Sequence, residues 1–108
     1  MITSTEIPSK ALRFSVHSDS DEAGRAWLYL IRNNLHERPY GLLEDVWVAP
    51  DSRNQGHATA LVQAVIECAQ KEGCYKLIAT SRFEREKVHK LYTELGFTSH
   101  GYEFRMDF

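Results

Sequence analysis

Between an apolar stretch, Val46-Trp47-Val48, and an apolar helical run, Leu61-Val62-Gln63-Ala64-Val65-Ile66, lie Arg53-Asn54-Gln55-Gly56-His57-Ala58-Thr59. The residue types there suit the binding of an anion. Gly56 lets the backbone come close to a ligand, and a helix starting beside it leaves its first amides without internal partners. The aligned dipoles make that end partly positive, and Arg53 adds a full charge with a fork of donors. A phosphate or pyrophosphate is the expected guest. Neither Gly-x-x-x-x-Gly-Lys-Ser/Thr nor Gly-x-Gly-x-x-Gly occurs.

The elements that must position this turn follow from patterning. Residues 42–48 are apolar enough for a buried strand, which Pro50 stops because it has no amide hydrogen. Ala58, Leu61, Val62, Val65 and Ala69 recur at helical spacing, so a helix runs from near Gly56 to Lys71-Glu72, capped by Gly73.

Upstream, Leu12, Phe14 and Val16 alternate with Arg13, Ser15 and His17, which predicts a half-buried strand over 12–16. Residues 18–24 read as a turn and 26–32 as a second strand, apolar on both faces. Residues 75–80 make a fourth strand, parallel to the third because a helix joins them.

A second helix is predicted over 84–95, with Val88, Leu91, Tyr92 and Leu95 in one stripe and Gly96 closing it. Short antiparallel strands at 97–99 and 102–106, around a turn at His100-Gly101, complete the pattern.

Composition bounds the rest. The 108 residues make one domain, 1–108, burying roughly two-thirds of the unfolded surface, with 1–10 a flexible arm. Thirteen basic against fifteen acidic residues give a net charge of −2, which offers no support for nucleic-acid binding. No apolar run approaches the roughly eighteen residues of a membrane span and no export signal opens the chain, so a cytoplasmic protein is expected. Cys68 and Cys74 form no metal pattern and read as reduced thiols; no metal is expected.

The spacing of Arg53, Gly56 and Ala58 is Arg or Gln, two residues, Gly, one residue, then Gly or Ala. Together with the strand ending Val48-Ala49-Pro50 and the downstream segment Leu91-Tyr92-Thr93-Glu94-Leu95-Gly96-Phe97, it resembles the GNAT superfamily of acyl-CoA-dependent N-acetyltransferases. The resemblance covers residues 42–104, more than half the chain. It implies a mixed, mostly antiparallel sheet of about six strands with two main helices, an α/β (α+β) fold without the family's usual first strand and first two helices.

It also implies acetyl-CoA as acyl donor, with Val46, Trp47 and Val48 along the pantetheine arm and Arg53, Asn54, Gln55, Gly56, His57, Ala58 and Thr59 around the pyrophosphate. His57 departs from the small or aliphatic residue usual at its place. Arg85 stands where an asparagine touching the cofactor arm often falls.

Acyl transfer to an amine needs a base, oxyanion donors and an acid for the departing thiolate. Strand alternation puts Glu44 on the face of Leu42 and Val46, with Asp45 on the other, and the resemblance makes Glu44 the candidate base. It makes Tyr92 the candidate acid, although an aromatic between Val88 and Leu95 also suits plain core packing. A strand amide near Val46–Val48 would serve the oxyanion.

The function implied is transfer of an acetyl group from acetyl-CoA to a primary amine of a small molecule or peptide, by direct attack in a ternary complex. A non-catalytic acyl-CoA-binding module that regulates a partner is the alternative. An uncovered edge near residues 12–16 and the apolar strand at 27–31 predict a homodimer, with the aromatic C-terminal strand reaching across.

Overall fold

The structure is a computed structural model that describes residues 1–108. Three antiparallel strands, β1 (Lys10–Ser18), β2 (Asp21–Ile31) and β3 (Tyr40–Val48), are followed by a 3₁₀ turn at Pro50–Ser52 and helix α1 (His57–Lys71). Strand β4 (Leu77–Ala79) and helix α2 (Glu86–Glu94) complete the regular structure. The sheet order is β1-β2-β3-β4, with β4 parallel to β3 as the intervening helix demands.

The alternation in β1 holds: Leu12, Phe14 and Val16 are half-buried while Arg13, Ser15 and His17 are exposed. The turn after it is shorter than the span 18–24. Ser18 pairs with Asp21, leaving Asp19 and Ser20 to reverse the chain, with Asp19 in the left-handed region at φ 55°. Glu22 reads as a turn residue but belongs to the ladder, because Arg13 and Ser15 on β1 both donate to its carboxylate at 2.6 Å. Those cross-strand partners favour the ionised form and hold the Glu22 carboxyl below its usual range.

Helix α1 lies on the face of the sheet formed by Ala26, Leu28, Leu30 and Leu43. It buries Leu61, Val62, Val65 and Ala69 there. Gly24 brings β2 close under the helix: a Cβ at this position would fall 2.9 Å from the Trp47 carbonyl oxygen and 3.2 Å from a Leu61 methyl. Helix α2 has its apolar stripe turned inward, yet none of its residues is fully buried.

The sheet has four strands, not about six. Residues 97–108 have no secondary structure, and only Phe97 packs on the core. The alternating pattern at the C-terminus makes a strand possible, but a strand exists only where a neighbour supplies the ladder, and none is paired with this segment. Residues 1–9 also lack regular structure and are exposed; Lys10 already belongs to β1.

Candidate functional site

Strand β3 carries two irregularities at one place. Trp27 of β2 pairs with Glu44 and Arg25 pairs with Trp47, so Asp45 and Val46 together oppose Ala26 alone. This is a β-bulge, and Asp45 sits in it at φ 52°, a left-handed conformation that aspartate tolerates better than most residues. On its other edge β3 pairs with β4 only from Gly41 to Leu43. β4 ends at Ala79, so beyond Leu43 the backbone edge of β3 through Val48 has no strand partner.

The bulge corrects the expected side-chain directions. Glu44 shares a face with Leu42, as alternation predicts, but the extra residue turns Val46 to the opposite face, where it packs on the core under α1. Asp45 does not point away from Glu44. Its carboxylate takes two hydrogen bonds from Arg25, at 2.9 and 3.5 Å, and lines the same cleft as Glu44. Arg25 also lies over the Trp47 ring, 4.7 Å from its centroid. Sequence reasoning singled out Trp47 but not Arg25, which joins it to Asp45; the one local signal was an aspartate inside an apolar strand, where a bulge accommodates it.

The cleft beside Glu44 has a volume of about 440 Å³ and is lined by Ser9, Tyr29, Ile31, Leu42, Glu44 and Asp45. Tyr29 stacks at 6.1 Å and 18° on Trp27, so an aromatic surface adjoins the two carboxylates.

From the end of β3 the chain passes through the 3₁₀ turn to the start of α1. Asn54 (φ 62°) and Gly56 (φ 81°) are both left-handed, and Gly56 is the N-cap. No side chain caps the helix, and its first turn has no acidic residue. The first helical bond runs from the Ala60 amide to the Gly56 carbonyl at 3.0 Å, which leaves the His57, Ala58 and Thr59 amides without helical partners. These features fit a pyrophosphate, and the open edge of β3 fits a pantetheine arm with amide groups of its own. Arg53 is exposed, and its Nε donates to the Val48 carbonyl at 3.1 Å, holding the guanidinium beside the strand end. Gln55 is exposed, and His57 is half-buried in the first helical turn.

Tyr92 comes from the other side of the opening, on α2. It is half-buried, packs on the core and meets Phe97 with ring centroids 5.2 Å apart. Burial pushes its phenol above the usual value; the Arg85 charge opposes this and the Glu44 carboxylate adds to it. The structure thus brings Glu44 and Arg85 each into electrostatic reach of Tyr92. Both readings of Tyr92 are compatible in one residue, since its ring packs while its hydroxyl remains a protonated donor at neutral pH. His89 serves structure: its Nε2 donates to the Arg82 carbonyl at 2.8 Å and ties the loop before α2 to the helix.

No helix is long and apolar enough to cross a membrane, and no group of three or more potential metal-ligating side chains occurs.

The chain matches the Acetyltransferase (GNAT) family over residues 9–97. It is 39% identical over 70 residues to glucosamine 6-phosphate N-acetyltransferase of Trypanosoma brucei brucei, covering 65% of this chain and 46% of that protein. It is 30% identical over 93 residues to aminoglycoside N(6')-acetyltransferase type 1 of Acinetobacter genomosp. 13, covering 82% and 64%. The chain therefore spans less than two thirds of the length of either. Among solved structures it superposes on an acetyltransferase of Trypanosoma brucei with a TM-score of 0.80 at 31% identity, covering 93% of this chain and 69% of that one. A putative acetyltransferase from Agrobacterium tumefaciens str. C58 gives a TM-score of 0.84 at 24% identity, covering 90% and 68%, a likeness of fold. A match across most of its length, on a sheet and two helices arranged in the same way, means that this chain belongs to the acetyltransferase (GNAT) family.

Proposed function

We propose that this chain moves an acetyl group from acetyl-CoA to a primary amine of an amino sugar, by direct attack in a ternary complex. The observation that carries the reading is the coincidence at Glu44–Val48 of a bulge, an unpaired strand edge and a cleft with two carboxylates, between an uncapped helix start and Tyr92. Bound acetyl-CoA would supply a thioester carbon open to attack by nitrogen. The amides of His57, Ala58 and Thr59, with Arg53, Asn54, Gln55 and Gly56 around them, hold its pyrophosphate. The backbone of Val46, Trp47 and Val48 takes the pantetheine arm.

In this reading a backbone amide at the bulge donates to the developing oxyanion, where strand pairing no longer consumes it. The Glu44 carboxylate accepts the proton of the acceptor ammonium, directly or through one water. As the nitrogen bonds to the thioester carbon and the carbon–sulfur bond breaks, the Tyr92 hydroxyl gives its proton to the departing sulfur, and the second proton of the attacking nitrogen restores the phenol. Its raised pKa, caused first by burial, keeps that proton in place at neutral pH.

Amino sugars are favoured over peptides by the surroundings of Glu44. The stacked Trp27 and Tyr29 rings offer a flat surface for a sugar's apolar face, and Glu44 and Asp45 offer charge to an ammonium. The two relatives are named for glucosamine 6-phosphate and for aminoglycosides, both of which carry amines on sugars. Free Cys68 and Cys74 suit a reducing compartment, and we place the reaction in the cytoplasm. The domain is taken as residues 1–108.

The test is thiol release from acetyl-CoA with glucosamine 6-phosphate, an aminoglycoside and a peptide bearing a free N-terminus. Release with an amino sugar and not with the peptide is expected. Coenzyme A that raises the melting temperature without thiol release from any acceptor would replace catalysis by the regulatory binding module.

A further inference from the structure

Of the four residues other than glycine with a left-handed backbone, Asp19, Asn34 and Asn54 lie in connections between elements, and Asp45 lies inside a strand. A positive φ brings Cβ close to the following carbonyl oxygen, and aspartate tolerates it best when its short side chain is hydrogen-bonded nearby. The Asp45 carboxylate has a single partner. Nε and Nη2 of Arg25 donate to it at 2.9 and 3.5 Å, and no other group does.

Arg25 is itself fixed. It stands directly across from Trp47 in the β2–β3 ladder, and its guanidinium lies over the indole, 4.7 Å from the ring centroid. Ala26 is buried in the core beneath α1, so alternation along β2 puts Arg25 on the opposite face of the sheet. One side chain on β2 thus grips β3 at two points, the bulged residue and the first residue paired after it. On the side of α1 the bulge is held by Val46, which packs on the core.

The Asp45 side chain is 53% exposed, and an exposed ion pair adds little to stability. Its effect here is on backbone geometry. A glycine at this position would permit a φ of 52°, but it would equally permit the extended conformation that erases the bulge. An aspartate held by a guanidinium that also stacks on an aromatic ring keeps the left-handed conformation only.

We propose that Arg25 is a positioning residue for acetyl transfer: by holding the Asp45 carboxylate and the Trp47 ring, it fixes the bulge in β3 and with it the direction of the amide that receives the oxyanion. In this role Arg25 acts through the backbone and touches no reacting atom. The role rests on the reading of a bulge amide as the oxyanion donor, and it names the side chain that aims that amide. A donor displaced by about 1 Å costs about 10²-fold in rate.

Substitutions at both ends of the clamp separate backbone from charge. In Arg25→Ala, kcat should fall about 10- to 100-fold while coenzyme A still raises the melting temperature, because the start of α1 is untouched. Asp45→Ala breaks the clamp from its exposed end and serves the same purpose if Arg25→Ala does not fold. Asp45→Ala and Asp45→Gly both remove the carboxylate, so a raised KM for the acceptor is common to them. The glycine variant should nevertheless keep a kcat about 10-fold above the alanine variant, because glycine adopts a positive φ without a clamp. The double variant Arg25→Ala, Asp45→Gly should likewise exceed Arg25→Ala. The Cα chemical shift of residue 45 reads its φ without any turnover, and should move from left-handed toward extended values in both alanine variants. Left-handed shifts retained in both overturn the proposal. Equal kcat for Asp45→Ala and Asp45→Gly also overturns it and assigns Asp45 to the acceptor's charge alone. A bulge that flattens with kcat unchanged overturns it together with the oxyanion assignment. Native protein that releases no thiol with any amine overturns the acetyl-transfer reading and this role with it; the shifts still show whether Arg25 holds the bulge, which keeps the two failures apart.

Discussion

Helix α1 presses Leu61, Val62, Val65 and Ala69 into the sheet until each is buried, whereas α2, with an apolar stripe of Val88, Leu91, Tyr92 and Leu95, buries none of its residues. Both helices follow a strand and precede a left-handed glycine, Gly73 and Gly96. The difference lies in what they rest on. α1 spans the centre of the sheet and meets β2 and β3, whose facing residues Ala26, Leu28 and Leu43 are 0–1% exposed. α2 packs on the core only through Leu91 and Tyr92, and the strand before it, β4, has three residues and no outer neighbour. The half of the molecule assigned to the donor is thus completed by the chain's own packing, and the half that carries Tyr92 is left partly open.

The largest effect should separate the two halves by stability. Leu28→Ala, which empties a fully buried site, should cost about 2–5 kcal/mol in urea denaturation, while Leu91→Ala on the open helix should cost clearly less. Equal losses would mean that α2 is as well supported as α1.

Next come the two sides of the proposed reaction. Tyr92→Phe should slow turnover about 10²-fold with coenzyme A binding unchanged, because the ring still packs and only the proton donor is lost. Unaltered turnover would leave Tyr92 a packing residue. On the donor side, Gly56→Glu forces a Cβ onto a φ of 81° and sets a carboxylate at an uncapped helix start. The melting-temperature rise with coenzyme A, worth about 2.7 kcal/mol when ligand is at 100 times its Kd, should vanish in a folded variant.

Glu44→Gln should give a smaller and pH-dependent loss, greatest where the acceptor amine is still protonated and fading at alkaline pH as that amine loses its own proton. A deficit of the same size at neutral and alkaline pH would remove Glu44 from the role of base.

The smallest effect is at the far edge. The Glu22 carboxyl titrates below its unfolded value, first through the Ser15 hydrogen bond and then through Arg13. Its folded form is therefore favoured above that value, and the contribution is lost as pH falls through the depressed folded pKa. Glu22→Gln should lower the melting temperature slightly at pH 7 and match the native protein in strong acid; a constant gap across pH would assign the effect to shape.

Local rules settle part of this protein. Gly56 and the apolar repeat after it require a helix start near residue 57, Pro50 ends the strand before it, and alternation at 12–16 specifies which face of β1 is wet. These signals act over a few residues, so the turn and the helix start at residue 57 were legible without a fold. Asp21 and Glu22 illustrate the limit, since both look like turn residues until Ser18 and His17 are brought opposite them. At residues 97–108 the same limit applies in reverse, because alternation without a neighbouring strand makes no sheet. The bulge at Asp45 and the end of β3–β4 pairing after Leu43 depend on pairings with residues roughly 20 and 35 positions away. Only the assembled sheet decides such pairings, because hydrogen-bond register belongs to two strands at once. That register turned Val46 to the core, set Asp45 beside Glu44 and opened the edge between the helix start and Tyr92.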